Sequence, residues 1–67
     1  MIAVSINGEA RRFDTPISVA ELLEQMQLGG KRIALERNGE IVARGRFSQQ
    51  MLADGDKLEI VVAVGGG

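Results

Sequence analysis

Thr15-Pro16-Ile17-Ser18-Val19-Ala20-Glu21-Leu22-Leu23-Glu24-Gln25-Met26 decides the fold, because it carries a helical period inside a chain that otherwise alternates. Pro16 lacks an N–H for a strand ladder and stops whatever strand precedes it. Ser18 is placed to cap the helix, and Glu21, at the third helical position, completes a capping box. Ile17 precedes the cap and can staple onto Leu22. Val19, Leu22, Leu23 and Met26 fall at i, i+3, i+4 and i+7, which forms one apolar stripe. The pattern predicts a helix over about 19–27, ended by Gly29-Gly30, since glycine readily takes the left-handed conformation that follows a helix.

Towards the N-terminus, Ile2 to Ile6 alternates at period two and runs into Asn7-Gly8, the pair favoured where a type I′ hairpin turn needs positive φ twice. A second strand from about Glu9 to Asp14 follows. Ala10, Arg12 and Asp14 lie on one side, Arg11 and Phe13 on the other, and Phe13 is the core anchor. Towards the C-terminus, a strand from about Arg32 to Arg37 turns at Asn38-Gly39 into a short strand over Glu40–Val42. Residues 44–52 are irregular, with Phe47, Met51 and Leu52 as packing residues. Ala53-Asp54-Gly55-Asp56 is a turn, and a last strand runs from Lys57 to about Val64. Along it Leu58, Ile60, Val62 and Val64 share one face, and Lys57, Glu59, Val61 and Ala63 the other.

The expected order is therefore β, β, α, β, β, β. At 67 residues there is room for one domain and one core, too little for a doubly wound parallel sheet. An α+β fold, with a mixed sheet of four to five strands on one helix, fits. Residues 1–64 are expected to form the folded body and 65–67 a flexible tail.

The missing residue types exclude most chemistry. There is no His, Cys, Trp or Tyr, hence no zinc site of the usual kind, no cysteine or histidine nucleophile, no serine–histidine triad and no disulfide. Eight basic and nine acidic residues are interspersed for a net charge of −1, which leaves no electrostatic footprint for nucleic acid. No apolar run approaches the ~20 residues of a membrane span, and Met1 leads directly into the alternating segment with no secretory signal. A cytoplasmic protein is expected. Asp54-Gly55-Asp56 begins like a calcium loop, but the later ligands are missing, so it is read as a turn. Glu21 and Glu24 are one helical turn apart, yet Glu21 belongs to the capping box, and no metal is assigned to them. Arg44 and Arg46 are read as solvated charges.

What remains is the ending, Gly65-Gly66-Gly67. Without Cβ atoms such a tail can thread a narrow cleft and form backbone hydrogen bonds there, carrying its carboxylate roughly 10 Å beyond the strand. Chain ends are also often frayed and rich in glycine, so on residues alone the tail is either a frayed end or the working group.

The whole chain resembles the ThiS sulfur carriers of thiamine biosynthesis, within the ubiquitin-like β-grasp proteins. The resemblance rests on the first Asn-Gly hairpin, Ser18-Val19-Ala20-Glu21-Leu22-Leu23, Arg37-Asn38-Gly39-Glu40-Ile41-Val42, Asp54-Gly55-Asp56, and the ending Ile60-Val61-Val62-Ala63-Val64-Gly65-Gly66-Gly67. It implies that a ThiF-like adenylyltransferase uses ATP and Mg²⁺ to convert the Gly67 carboxylate to an acyl adenylate. Sulfur from cysteine, delivered by a desulfurase or a persulfide, would then displace AMP and leave a thiocarboxylate. ThiG thiazole synthase would accept that sulfur. On this reading the chain is a carrier and not an enzyme, binds no cofactor itself, and meets its partners with Gly65, Gly66 and the exposed face at Val61 and Ala63. The small subunit of molybdopterin synthase is similar in fold and chemistry, but such tails carry a proline before the diglycine that is missing here. A conjugated modifier or a passive ubiquitin-like interaction module is the reading from another class.

Overall fold

Eleven apolar side chains form the core: Ile2, Val4, Ile6, Ile17, Val19, Leu22, Leu23, Leu35, Leu52, Leu58 and Ile60 are all buried. They come from alternate positions of strands and from one stripe of a helix. A sheet face and a helix stripe are each apolar on one side only, so each is stable only when covered by the other. The computed structural model describes residues 1–63, and Val64, Gly65, Gly66 and Gly67 lie outside the described residues.

The elements are β1 (Ile2–Ile6), β2 (Glu9–Phe13), α1 (Val19–Gln25), β3 (Ile33–Arg37), β4 (Glu40–Val42), a single 3₁₀ turn (Arg44–Arg46) and β5 (Lys57–Val62). They build one five-stranded sheet in the order β2-β1-β5-β3-β4, the mixed α+β arrangement expected. The last strand is therefore the central one. It pairs parallel with β1 (Ser5 opposite Lys57, Ile6 opposite Leu58) and antiparallel with β3 (Ile33 opposite Val62 through Arg37 opposite Leu58). Both hairpins turn on Asn-Gly as predicted: Asn7 and Asn38 have φ of 51° and 52°, Gly8 and Gly39 of 86° and 87°. These are the two successive positive angles of a type I′ turn, whose twist matches that of the flanking strands.

The start of α1 follows the sequence reading closely. The Ser18 hydroxyl accepts from the Glu21 N–H at 3.1 Å, and the Ser18 N–H donates to the Glu21 carboxylate at 2.9 Å. Its end does not. The helix stops at Gln25, two residues before the predicted end, and the residue in the left-handed conformation is Gln27, φ 61°. The Leu28 N–H donates to the Leu23 carbonyl (2.8 Å) and the Gln27 N–H to the Glu24 carbonyl (3.0 Å), the two bonds of a Schellman motif. Leu28 then packs against the core. Its pull on the core places the reversal at Gln27, two residues before the glycines. Met51 also departs from expectation: it is 47% exposed, while Leu52 beside it is buried and Phe47 half-buried. The Leu52 N–H is bound to the Ile17 carbonyl, and successive extended residues face opposite ways, so Leu52 inside sends Met51 out. The predicted limits of β3 and β5 shorten to Ile33 and Val62, and the call on Val64 lies outside the described residues.

A non-glycine residue in the left-handed region costs about 1–2 kcal/mol, part of which glycine returns as extra unfolded-state entropy. Gln27→Gly should therefore stabilise the fold by about 0.5–1 kcal/mol, raising the melting temperature by roughly 2–8 °C in a domain of this size. Thermal unfolding followed by circular dichroism checks this, and a fall in melting temperature would show that the Gln27 side chain contributes more than its strained backbone costs.

Candidate functional site

The strand that leads to the terminal glycines is held from both flanks by the two turn asparagines. On the β1 side, the Asn7 N–H donates to the Leu58 carbonyl at 2.9 Å. The Asn7 side chain then acts as one more strand residue: its Oδ1 accepts from the Ile60 N–H at 2.8 Å and its Nδ2 donates to the Ile60 carbonyl at 3.0 Å. On the β3 side, the Asn38 N–H donates to the Lys57 carbonyl at 2.8 Å, and Asn38 Oδ1 accepts from the Lys57 N–H at 2.9 Å. A positive φ turns each asparagine amide towards β5, so the residues that make the turns also extend the sheet.

Asp56 closes the base of this strand. It is 5% exposed, and its carboxylate accepts from Arg37 Nε at 2.7 Å, from the Ala53 N–H at 2.8 Å and from Asn38 Nδ2 at 3.1 Å. Among the described residues, Arg37–Asp56 is the single ion pair. Burial by itself pushes the Asp56 carboxyl up. The hydrogen bonds from Arg37, Ala53 and Asn38 and the charge of Arg37 outweigh it, and hold the group below its ordinary 3.8. Asp54 in the same turn accepts from the Ala3 N–H at 2.7 Å. The turn that the sequence showed as a loop is thus a junction between β1, β3 and β5.

At the other end of β5, pairing with β1 reaches Ile60 through Asn7, while pairing with β3 continues to the Ala63 N–H, bound to the Arg32 carbonyl at 2.9 Å. Arg32 is a contact the sequence reading did not single out, since nothing in the pattern distinguishes it from other surface charges. Of the predicted partner-binding residues, Val61 is 64% exposed and Ala63 is exposed, both on the sheet face away from α1. Ile41 joins them on that face, 79% exposed. Alternation within Glu40-Ile41-Val42 was the signal for it, because Val42 faces the core. The predicted Gly65, Gly66 and reactive Gly67 lie outside the described residues.

On the helix side, a groove of about 490 Å³ is lined by Leu23, Leu28, Ile33 and Phe47, with Lys31 and Arg44 at its rim. Among the described residues no three carboxylates gather where they could hold a metal ion, and no helix is long and apolar enough to cross a membrane. The body offers a rigid strand end and exposed faces, without a constellation for acid–base or nucleophilic work.

Comparison with known proteins places this architecture. The model of the ThiS family matches residues 4–67. The sulfur carrier protein ThiS of Bacillus subtilis is 42% identical over 50 residues, covering 75% of this chain and 76% of that protein. A thiazole synthase of Paramagnetospirillum magneticum is 45% identical over 62 residues, 92% of this chain but 19% of that protein. The chain thus spans about a fifth of the length of the thiazole synthases it matches. The crystal structure of a thiamine biosynthesis protein (ThiS) from Geobacter metallireducens superposes with a TM-score of 0.81 at 29% identity, covering 98% of this chain and all of that one.

Stability should report the Asp56 junction. A carboxyl group held low in the folded state contributes stability that is present above its unfolded pKa of 3.8 and is lost as pH falls through the lower folded value. Urea unfolding of the wild type should therefore lose midpoint steadily below about pH 4. Asp56→Asn should be less stable by about 2–3 kcal/mol at neutral pH, with a shallower acid slope. Parallel acid slopes in the two proteins would show that other groups carry the pH dependence.

Proposed function

The chain belongs to the ThiS family, and from that membership we propose that it is a cytoplasmic sulfur carrier of thiamine biosynthesis whose working group is the Gly67 carboxyl. The observation that carries the reading is a body without internal catalytic groups, built around a clamped central strand that leads directly to Gly65-Gly66-Gly67.

A carboxylate is a poor electrophile, so sulfur cannot be loaded onto it directly. In the proposed cycle, a Gly67 oxygen attacks the α-phosphorus of ATP in a ThiF-like adenylyltransferase, pyrophosphate leaves and an acyl adenylate forms. Mg²⁺ and nucleotide are held by that enzyme, and this chain binds neither. The terminal sulfur of a persulfide, charged by a cysteine desulfurase, attacks the acyl carbon and expels AMP. A thiol then cleaves the S–S bond, leaving the thiocarboxylate. Thiazole synthase takes the sulfur and the carboxylate is restored. Gly65 and Gly66 suit the narrow entrance of such active sites because they have no side chain to clash, and Val61 and Ala63 provide apolar contact at the root of the tail.

Sequence likeness to one segment of a thiazole synthase supports that enzyme as the acceptor. A ThiS-like segment and a synthase on one polypeptide would meet at high effective concentration. The family match supports thiamine over molybdopterin service.

Removal of Gly67 moves the reactive group without touching the core. The truncated chain should melt with the wild type but undergo no adenylation, whereas the full chain with adenylyltransferase, ATP and a persulfide source should exchange one oxygen for sulfur at Gly67. Intact-mass spectrometry with fragmentation reads both. Unchanged adenylation of the truncated chain would overturn the assignment.

A further inference from the structure

The outer face of the sheet carries an arrangement that works against the stability of the isolated chain. In the β3–β5 register Glu36 stands directly opposite Glu59, and in the β3–β4 register Ile41 stands opposite Glu36. Directly opposed antiparallel residues share a face with their Cβ atoms about 5 Å apart, and like charges so placed repel. Both glutamates are exposed, and neither is in an ion pair among the described residues. Lys57, two residues from Glu59 on the same face, pairs with neither. The next cross-strand row is apolar, Ala34 opposite Val61. The face therefore presents two adjacent carboxylates beside exposed Ile41 and Val61, and Glu59 and Val61 belong to the strand that ends in the reactive tail.

A cation entering between two such carboxylates relieves their repulsion and gains charge-assisted hydrogen bonds. An arginine does this best, because its planar guanidinium presents donors along two edges. Resting on the reading of the chain as a carrier, we propose that this face docks the adenylating partner. A basic side chain of that enzyme, an arginine by preference, seats between Glu36 and Glu59, with apolar contact at Ile41 and Val61. The opposed pair is then a specificity element: it favours a basic partner surface and rejects an acidic one.

The test is calorimetric binding of the full chain to the cognate ATP-dependent adenylyltransferase at low and high salt. Glu36→Gln/Glu59→Gln is compared with wild type and with Glu9→Gln on the edge strand β2. The double variant should bind about tenfold more weakly at low salt, with the difference shrinking at high salt. It should melt no lower than wild type, and Gly67 should still be adenylated at saturating enzyme. Glu9→Gln should bind as wild type does. Equal affinity and equal salt dependence of double variant and wild type would overturn the docking face. So would equal weakening by Glu9→Gln, or a loss confined to thiazole synthase. A wild-type chain that the enzyme neither binds nor adenylates would overturn the carrier reading itself, which separates the two failures.

Discussion

The structure depends on how β5 is held. A strand formed last in the chain occupies the centre of the sheet, parallel to β1 on one side and antiparallel to β3 on the other. Parallel pairing requires a crossover and gains less per residue than antiparallel pairing. Here the β1–β5 contact is short, and two side chains reinforce it. The Asn7 amide continues the ladder to Ile60, and the Asp56 carboxylate gathers Arg37, Asn38 and the Ala53 N–H at the strand's base. Each partner of Asp56 comes from a different part of the chain, so the junction forms only when the whole topology has closed. For a domain this small, whose total stability is only several kcal/mol, a single buried carboxylate with three donors is a large share.

That anchoring suits a carrier. A group that must be adenylated, loaded and discharged by different enzymes has to leave the body without deforming it. The body must also present the same faces each time. Holding β5 through Ile60 on one side and Ala63 on the other supplies a fixed point of departure. The lack of histidine and cysteine, which left no internal chemistry, is then consistent with partners doing the catalysis, while this chain contributes a reachable acyl group and a recognition surface.

The elements were legible where local chemistry dictated them. The Ser18–Glu21 capping box, both Asn-Gly turns and the alternation of β1 and β5 depend on neighbours a few residues away, and each stands where the sequence placed it. The misread positions had their outcome set from a distance. Gln27 takes the left-handed angle two residues ahead of a glycine pair because Leu28 is drawn onto the core. Met51 is turned outward because the chain beside it is tied to Ile17. The exposed face at Val61 and Ala63 was readable from period two alone, but the opposition of Glu36 to Glu59 needed the register.

By itself the sequence determined the element types, their order, the single core and the restriction of chemistry to the chain's last residue, since propensity, capping, periodicity and residue inventory are local or additive properties. Tertiary structure alone decided that β5 is central, that two turn asparagines become strand partners, that Asp56 is a buried junction and that two glutamates face each other beside Ile41. The reason is that these depend on which distant segments are brought within hydrogen-bonding and Coulombic range, and pairing between strands 50 residues apart leaves no mark in the pattern of either strand.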